Sequence, residues 1–471
     1  MTDYHRWTAV EAVRRLRNGD VTPLELIDAA AARIAAVEPS VNALPTLCLD
    51  RARERALNLP RPVGDDPGHL FGLPVVIKDL TAVAGVRTTF GSSVFTDHVP
   101  QASDMLVTRL EDRAASIIAK SNTPEFGAGA QTFNDVFGIT RNPWNTALTP
   151  GGSSGGSAVA VTTGEAWLAH GGDLGGSLRI PASFCGCVGL RPSPGRVPRG
   201  PVPLPFNPNW VDGPIARTVG DVALFLDALG GIHDRDPISL PRPSRSFQSA
   251  LGSVRPPRRI AFSMDLGASP VHPAVRSGIQ AALKVFADMG TEIVPLDMEF
   301  ADAEPMFQTV RAAQFAGDHA ETLARHREKL KPEVVWNIEK GMALTADDIG
   351  QAERARGDLY QRFVRQFDTV DLIVLPTVNT PPFPVEVRYL EELDGQTFDS
   401  YVSWLLMTFA ISLTTCPAIS VPCGFTDDGL PLGLQLVAGP RDEANLLGMA
   451  RHFEDAAGLR DRLPIDPIVR H

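Results

Sequence analysis

Two glycine-lined turns that carry serines lie close together in the chain. Thr149-Pro150-Gly151-Gly152-Ser153-Ser154-Gly155-Gly156 sets two serines between glycine pairs, and Asp173-Leu174-Gly175-Gly176-Ser177 closes a second turn on Ser177. A serine hydroxyl is a weak nucleophile until a base takes its proton. Neighbours without side chains let backbone N–H groups converge as a nest on a developing oxyanion. The pairing points to attack by serine, provided that a base is within reach.

A Gly/Ser cluster alone is most often a flexible loop or linker. No lysine follows the glycines in the G-x-x-x-x-G-K-[ST] arrangement and no G-x-G-x-x-G is present, which argues against a nucleotide site. Ser177 stands in G-G-S-L-R and not in the G-x-S-x-G of a nucleophile elbow. Two bases are compatible with the sequence. His170 is the histidine nearest to Ser177, but it sits in no triad context, and lone histidines are more often structural. Lys78 follows Val75-Val76-Ile77 at the end of an apolar run. A strand-end lysine is ordinarily solvated, yet burial here would push its pKa down from about 10.4 towards a neutral amine.

Composition limits what surrounds this chemistry. The 471 residues carry a net charge of -11 and are 44% hydrophobic, enough for a large core. The acidic balance argues against a nucleic-acid surface, which needs clustered Lys and Arg, and against an anionic membrane face. Five cysteines, odd in number and sparse, imply no disulfide framework. The N-terminal stretch scatters charges where a secretory signal would be apolar, so a cytoplasmic protein is expected. Tyr401 to Phe425 has no charge, but its prolines and hydroxyls suit a buried helix followed by a buried strand better than a membrane span.

The elements that must position these residues read as alternating helices and strands. Thr8 with Glu11, and Thr22 with Pro23 and Glu25, fit capping boxes that open two N-terminal helices. Residues 71–80 and 114–119 are short apolar runs expected to form buried strands. Residues 259–262, 274–289 and 292–296 predict a βαβ unit. Two charged helical stretches cover 301–331 and 346–367. The pattern predicts an α/β fold in a single domain over 1–471, with an N-terminal helical layer over 1–60 and a peripheral helical subregion over 301–367.

The motifs VVIKD, KSNTPEFG, NPWN, PGGSSGGSAVAV, GGDLGGSLRIPASFCGCVGLRPSPGRVP, GPIARTVGDV, CPAISVPCGF and PLGLQLVAGP follow one another in that order. Together they resemble the amidase signature hydrolases over nearly the whole chain, most densely from Phe71 to Pro198. The resemblance implies a large mixed β-sheet covered by helices on both faces. It implies an amidohydrolase with a Ser–Ser–Lys triad: Ser177 as nucleophile, Ser153 as the bridging serine after a cis peptide to Gly152, and Lys78 as base. The backbone N–H groups of Leu174, Gly175, Gly176 and Ser177 would form the oxyanion hole, with Asp173 and Arg179 supporting the turn and Ser154 supporting the lysine. No cofactor or metal is implied, and Cys185 and Cys187 read as packing.

The family commonly has Gly-Thr-Asp where this chain has Gly171-Gly172-Asp173, so a threonine hydroxyl is missing at 172. The partner implied is a small-molecule amide, with an aryl or hydrophobic acyl group favoured by the largely apolar candidate walls: Asn122 to Phe126 with Thr123 between them, Phe133, the 379–384 loop and the stretch from Trp404 to Cys416. Alternatives are a glutamine-hydrolysing subunit of the amidotransferase A type and a non-catalytic amide-binding member. The resemblance also carries a family tendency to homodimers.

Overall fold

The computed structural model describes residues 3–470. Its centre is an eleven-stranded mixed sheet. From edge to edge the strands run Thr46–Leu47, Ser116–Ser121, Pro74–Lys78, Leu168–Asp173, Val211–Ala216, Val188–Arg191, Ala418–Phe425, Pro431–Val437, Leu372–Pro376, Arg259–Phe262 and Glu292–Pro295. Pro74–Lys78 lies parallel to both of its neighbours, and Arg259–Phe262 does likewise. Antiparallel strands join the two parallel groups.

Successive side chains of a strand point to opposite faces, and two cores divide the sheet in that way. Leu372, Val374, Ile419 and Leu436 enter one core, whereas Ile373, Leu375, Ala418 and Val437 enter the other. Both faces are therefore covered, which accounts for strands without polar alternation such as Leu372–Pro376, buried throughout. The fold is the mixed α/β sheet that the sequence implied.

Local signals mostly set the element ends. Thr22 and Glu25 form a full capping box on helix Pro23–Val41. At helix Ala9–Asn18 only half of the box forms. Thr8 Oγ1 accepts from the Glu11 amide, but the Glu11 carboxylate turns to Arg15, 2.8 Å away. The βαβ unit is present as Arg259–Phe262, Pro273–Asp288 and Glu292–Pro295, with its strands parallel. The uncharged stretch folds as helix Leu406–Leu413 and strand Ala418–Phe425, almost wholly buried. No helix among the described residues is long and apolar enough to cross a membrane.

Candidate active site

Lys78 ends its strand between two parallel neighbours and is fully buried. Its Nζ lies 2.7 Å from Ser153 Oγ, 2.9 Å from Ser154 Oγ and 3.4 Å from the Gly172 carbonyl oxygen. Burial pushes the amine down to about 7, against the pull of Asp212 and Asp173. Lys120, on the adjacent strand, shows the contrast. It is equally buried, but Asp79 stands 2.9 Å away as a direct ion pair. Lys78 bonds two serine hydroxyls where Lys120 bonds a carboxylate and one hydroxyl, so no carboxylate pairs directly with the Lys78 amine.

The first turn brings the serines to this lysine. The Gly152–Ser153 peptide is cis, and Ser153 and Ser154 are fully buried just before helix Gly155–Thr163. The Ser154 amide donates to the Ser177 carbonyl at 3.2 Å, which ties the first turn to the second. Ser154 Oγ also accepts from the Gly172 amide at 3.3 Å. Ser177 is partly exposed and lines a cavity.

Asp173 organises the second turn from beneath. Its carboxylate accepts from the amides of Gly176 and Leu178 at 2.8 and 3.1 Å. It also takes two hydrogen bonds from Arg179, each 3.0 Å long, and one from Arg191 at 3.1 Å. Burial alone would raise the Asp173 carboxyl, but Arg179 and Arg191 hold it well below the usual carboxylate range. Arg179 extends the network to Ser412 Oγ at 2.7 Å and to Gln435 Oε1 at 2.6 Å. These bonds correct one expectation. The Gly176 N–H is committed to Asp173 and so does not point at an incoming oxygen. Gly176 itself has φ +135°, and a Cβ there would meet Thr408 Cβ at 2.7 Å, so the turn accepts no other residue.

Gly172 explains the departure from Gly-Thr-Asp. A Cβ at this position would stand 2.7 Å from Cε2 and 2.9 Å from Nε1 of Trp210. The indole fills the space that a threonine side chain would need. Trp210 Nε1 donates to Asp212 Oδ1 at 3.3 Å, and Lys78 Nζ lies 5.4 Å over the ring. His170 is turned to the same carboxylate, 3.1 Å from Asp212 Oδ1, and is not among the residues around the Ser177 cavity.

The walls of that cavity differ from those expected. Phe307, Arg311 and Phe315 from helix Ala303–His326 join Trp210 and Tyr401 around Ser177. Of the residues Asn122, Thr123, Phe126, Phe133, Trp404 and the 379–384 loop, none lines this cavity, and Phe126 lines a second one beside it. Asn122 and Thr123 are fully buried, and Asn122 is spent on Thr140 Oγ1 and the Asn134 side chain. Phe133 lies under the cations of Lys331 and Arg388, 5.1 and 5.0 Å from its ring centre, and lines neither cavity. Trp404 is 1% exposed and packs edge-on against Phe383 of the 379–384 loop. Leu405 from the same stretch does line the Ser177 cavity, and the helix that follows backs the site through Phe409, stacked 4.6 Å from Phe307. The sequence did hold a signal for the missed residues. Phe307, Arg311 and Phe315 are spaced by four, so one helix face carries an arginine between two phenylalanines.

Cys185 and Cys187 are fully buried in the core, and burial pushes the Cys187 thiol up to about 12. All five cysteines are free.

The family model described as Amidase matches residues 25–447. The chain belongs to this amidase signature family. As such it is a hydrolase acting on amide C–N bonds. An acylamidase of Rhodococcus erythropolis is 34% identical, covering 99% of this chain and 98% of the relative. The A-type subunit of the glutamyl-tRNA(Gln) amidotransferase of Synechococcus sp. (strain RCC307) is 35% identical, covering 96% of this chain and 98% of that relative. Among solved structures, a bacterial aryl acylamidase superposes with a TM-score of 0.90 at 26% identity, covering 98% of this chain and 99% of that one. A 6-aminohexanoate cyclic dimer hydrolase complexed with substrate gives 0.88 at 25% identity, with the same coverage.

Proposed function

We propose that this amidase cleaves a small carboxylic acid amide to acid and amine or ammonia through an acyl-enzyme on Ser177. The observation that carries the reading is the buried Lys78 amine, 2.7 Å from Ser153 Oγ and with its pKa brought down to about 7. Neutral Lys78 takes the Ser153 proton while Ser153 takes that of Ser177, and Ser177 Oγ attacks the carbonyl carbon. The relay requires the Ser153 and Ser177 hydroxyls to come within hydrogen-bond reach of each other in the substrate complex. The amides of Leu174, Gly175 and Ser177 receive the oxyanion, where one donor is worth ~10²–10³ in rate. The C–N bond breaks as the proton returns through Ser153 to the leaving nitrogen. Water then enters by the reverse relay and releases the acid.

Phe307, Phe315 and Trp210 around Ser177 support an aryl or hydrophobic acyl group. The likeness to acylamidases, one of them a bacterial aryl acylamidase, supports the same class. The likeness to the A-type amidotransferase subunits favours a second reading, glutamine as the amide donor within a larger assembly. Amine or ammonia release from anilides, aliphatic primary amides and glutamine, measured with the purified chain, decides between them. Turnover of anilides without any partner supports the first reading. Turnover of glutamine alone, or none until a copurifying partner is added, replaces it with the second.

A further inference from the structure

A second cavity of about 270 Å³ opens beside the first and shares Leu174, Trp210 and Phe315 with it, so the two adjoin at Trp210. Apolar residues, Phe90, Leu106 and Phe126 among them, form part of its wall. Among its polar lining residues are three carboxylates, Asp104, Asp212 and Asp318, and a single guanidinium, that of Arg199.

Two acceptors in this cavity are unmet. Gln314 is 4% exposed. Its Nε2 donates to Asp318 Oδ2 at 3.4 Å, while Gln314 Oε1 and Asp318 Oδ1, both buried, have no hydrogen-bond partner. The two residues are four apart on helix Ala303–His326, so their free oxygens lie on one helix face. A buried acceptor without a donor is unfavourable until a ligand or water supplies one.

The local charge selects which donor. Burial pushes the Asp104 carboxyl up to about 7 and the His319 imidazole down to about 4. His319 is thus uncharged at neutral pH. Burial also pushes the Asp318 carboxyl up, against the pull of Arg199, whereas Asp212, against the effect of burial, is held below its ordinary value by His170 and Arg199; the cavity thus holds three carboxyl groups to one guanidinium. Lys78 lies over the Trp210 ring, and its amine is driven towards neutrality by the same burial that serves catalysis.

We infer that this second cavity is a subsite for a substrate end carrying a cationic hydrogen-bond donor on an apolar body, an alkyl- or arylammonium group. The inference deepens the amidase reading and rests on it only for the word substrate; binding itself needs no turnover. Gln314 Oε1 and Asp318 Oδ1 accept from the ammonium, and the phenylalanines hold its hydrocarbon.

The test is calorimetric titration of the full chain with benzylammonium and with benzyl alcohol, its neutral counterpart. Benzylammonium is expected to bind about tenfold or more tightly than the alcohol, as hydrogen bonds to charged groups do. Asp318→Asn and Gln314→Leu are expected to bring the two affinities towards equality, and the nearly isosteric Asp318→Asn keeps the test decisive if Gln314→Leu fails to fold. Equal affinities in the unaltered protein, no binding of benzylammonium, or an unchanged preference in the variants overturns the subsite. The same titration on Ser177→Ala separates the two claims: retained binding with lost hydrolysis supports both, whereas active enzyme without benzylammonium preference removes only the subsite.

Discussion

Gly172 and Trp210 occupy one another's space: the indole lies where a side chain on residue 172 would project, with Cε2 2.7 Å from the position of its Cβ. The two residues act as a pair, and Trp210 in turn forms part of the wall beside Ser177. Overpacking of this kind costs about 1–3 kcal/mol. Gly172→Ala is expected to lower stability by that amount in urea unfolding and to depress kcat/KM by displacing the indole. Trp210→Phe in the same chain is expected to recover part of the stability, giving a non-zero coupling in a double-mutant cycle. Simple additivity would contradict the pairing.

The pH profile follows from Lys78. In the proposed relay the base works neutral, and burial brings the Lys78 amine down to about 7, so kcat/KM is expected to rise about tenfold per pH unit below that value and level off above it. Stability runs with the same sign. The folded pKa is below the ordinary 10.5, so the unfolded chain binds more protons between these values and stability rises with pH across that window. The destabilising contribution of Lys78 is complete below about 7 and gone above 10.5. Thermal unfolding checks this: any stability advantage of Lys78→Met over the parent should shrink as pH rises from about 7 towards about 10.

Lys120 supplies the control. It is as buried as Lys78 but is bound to Asp79 at 2.9 Å and to Thr88 Oγ1 at 2.8 Å. Lys120→Met strands the Asp79 carboxylate, and breaking such a buried pair costs about 3–5 kcal/mol. Chemical unfolding should register that loss, while the surviving folded enzyme keeps a rate limb near pH 7. Loss of the limb in this variant would move the base from Lys78 to Lys120.

Asp173 holds the second turn through Arg179, Arg191 and two backbone amides. Asp173→Asn leaves two buried guanidiniums without their carboxylate, with an expected loss of about 3–5 kcal/mol and of most activity. Because its carboxyl is held well below the usual range, its stabilisation is full above the ordinary 3.8 and disappears only as pH falls through the folded value. The stability gap between parent and variant, followed by denaturant titration, should therefore stay constant from neutrality down to about pH 4.

How much of this was legible depends on whether the signal was local. Lys78 could be placed because Val75-Val76-Ile77 marks a buried strand whose end must emerge somewhere, and the glycine turns could be placed by their own backbone demands. Phe307, Arg311 and Phe315 were not found, because a charged helical stretch looks peripheral until tertiary packing lays one of its faces over Ser177. Trp210 stands in a loop without periodicity, and only the bare backbone of Gly172 hints that something large must lie there. Asn122 and Thr123 misled because polar residues after an apolar strand resemble a pocket rim, whereas here they hold neighbouring loops together. Gly176 shows the limit of motif reasoning: the motif fixes the residue, but the hydrogen bond to Asp173 fixes where its N–H points.

The central claim is that Ser177 is made nucleophilic by Lys78, and active-site labelling with a fluorophosphonate followed by peptide mass mapping tests it most directly. A single adduct on Ser177 is expected, none in Ser177→Ala, and labelling slowed by about 10²-fold or more in Lys78→Ala. An adduct on another residue, or labelling of Lys78→Ala at the parent rate, would contradict it.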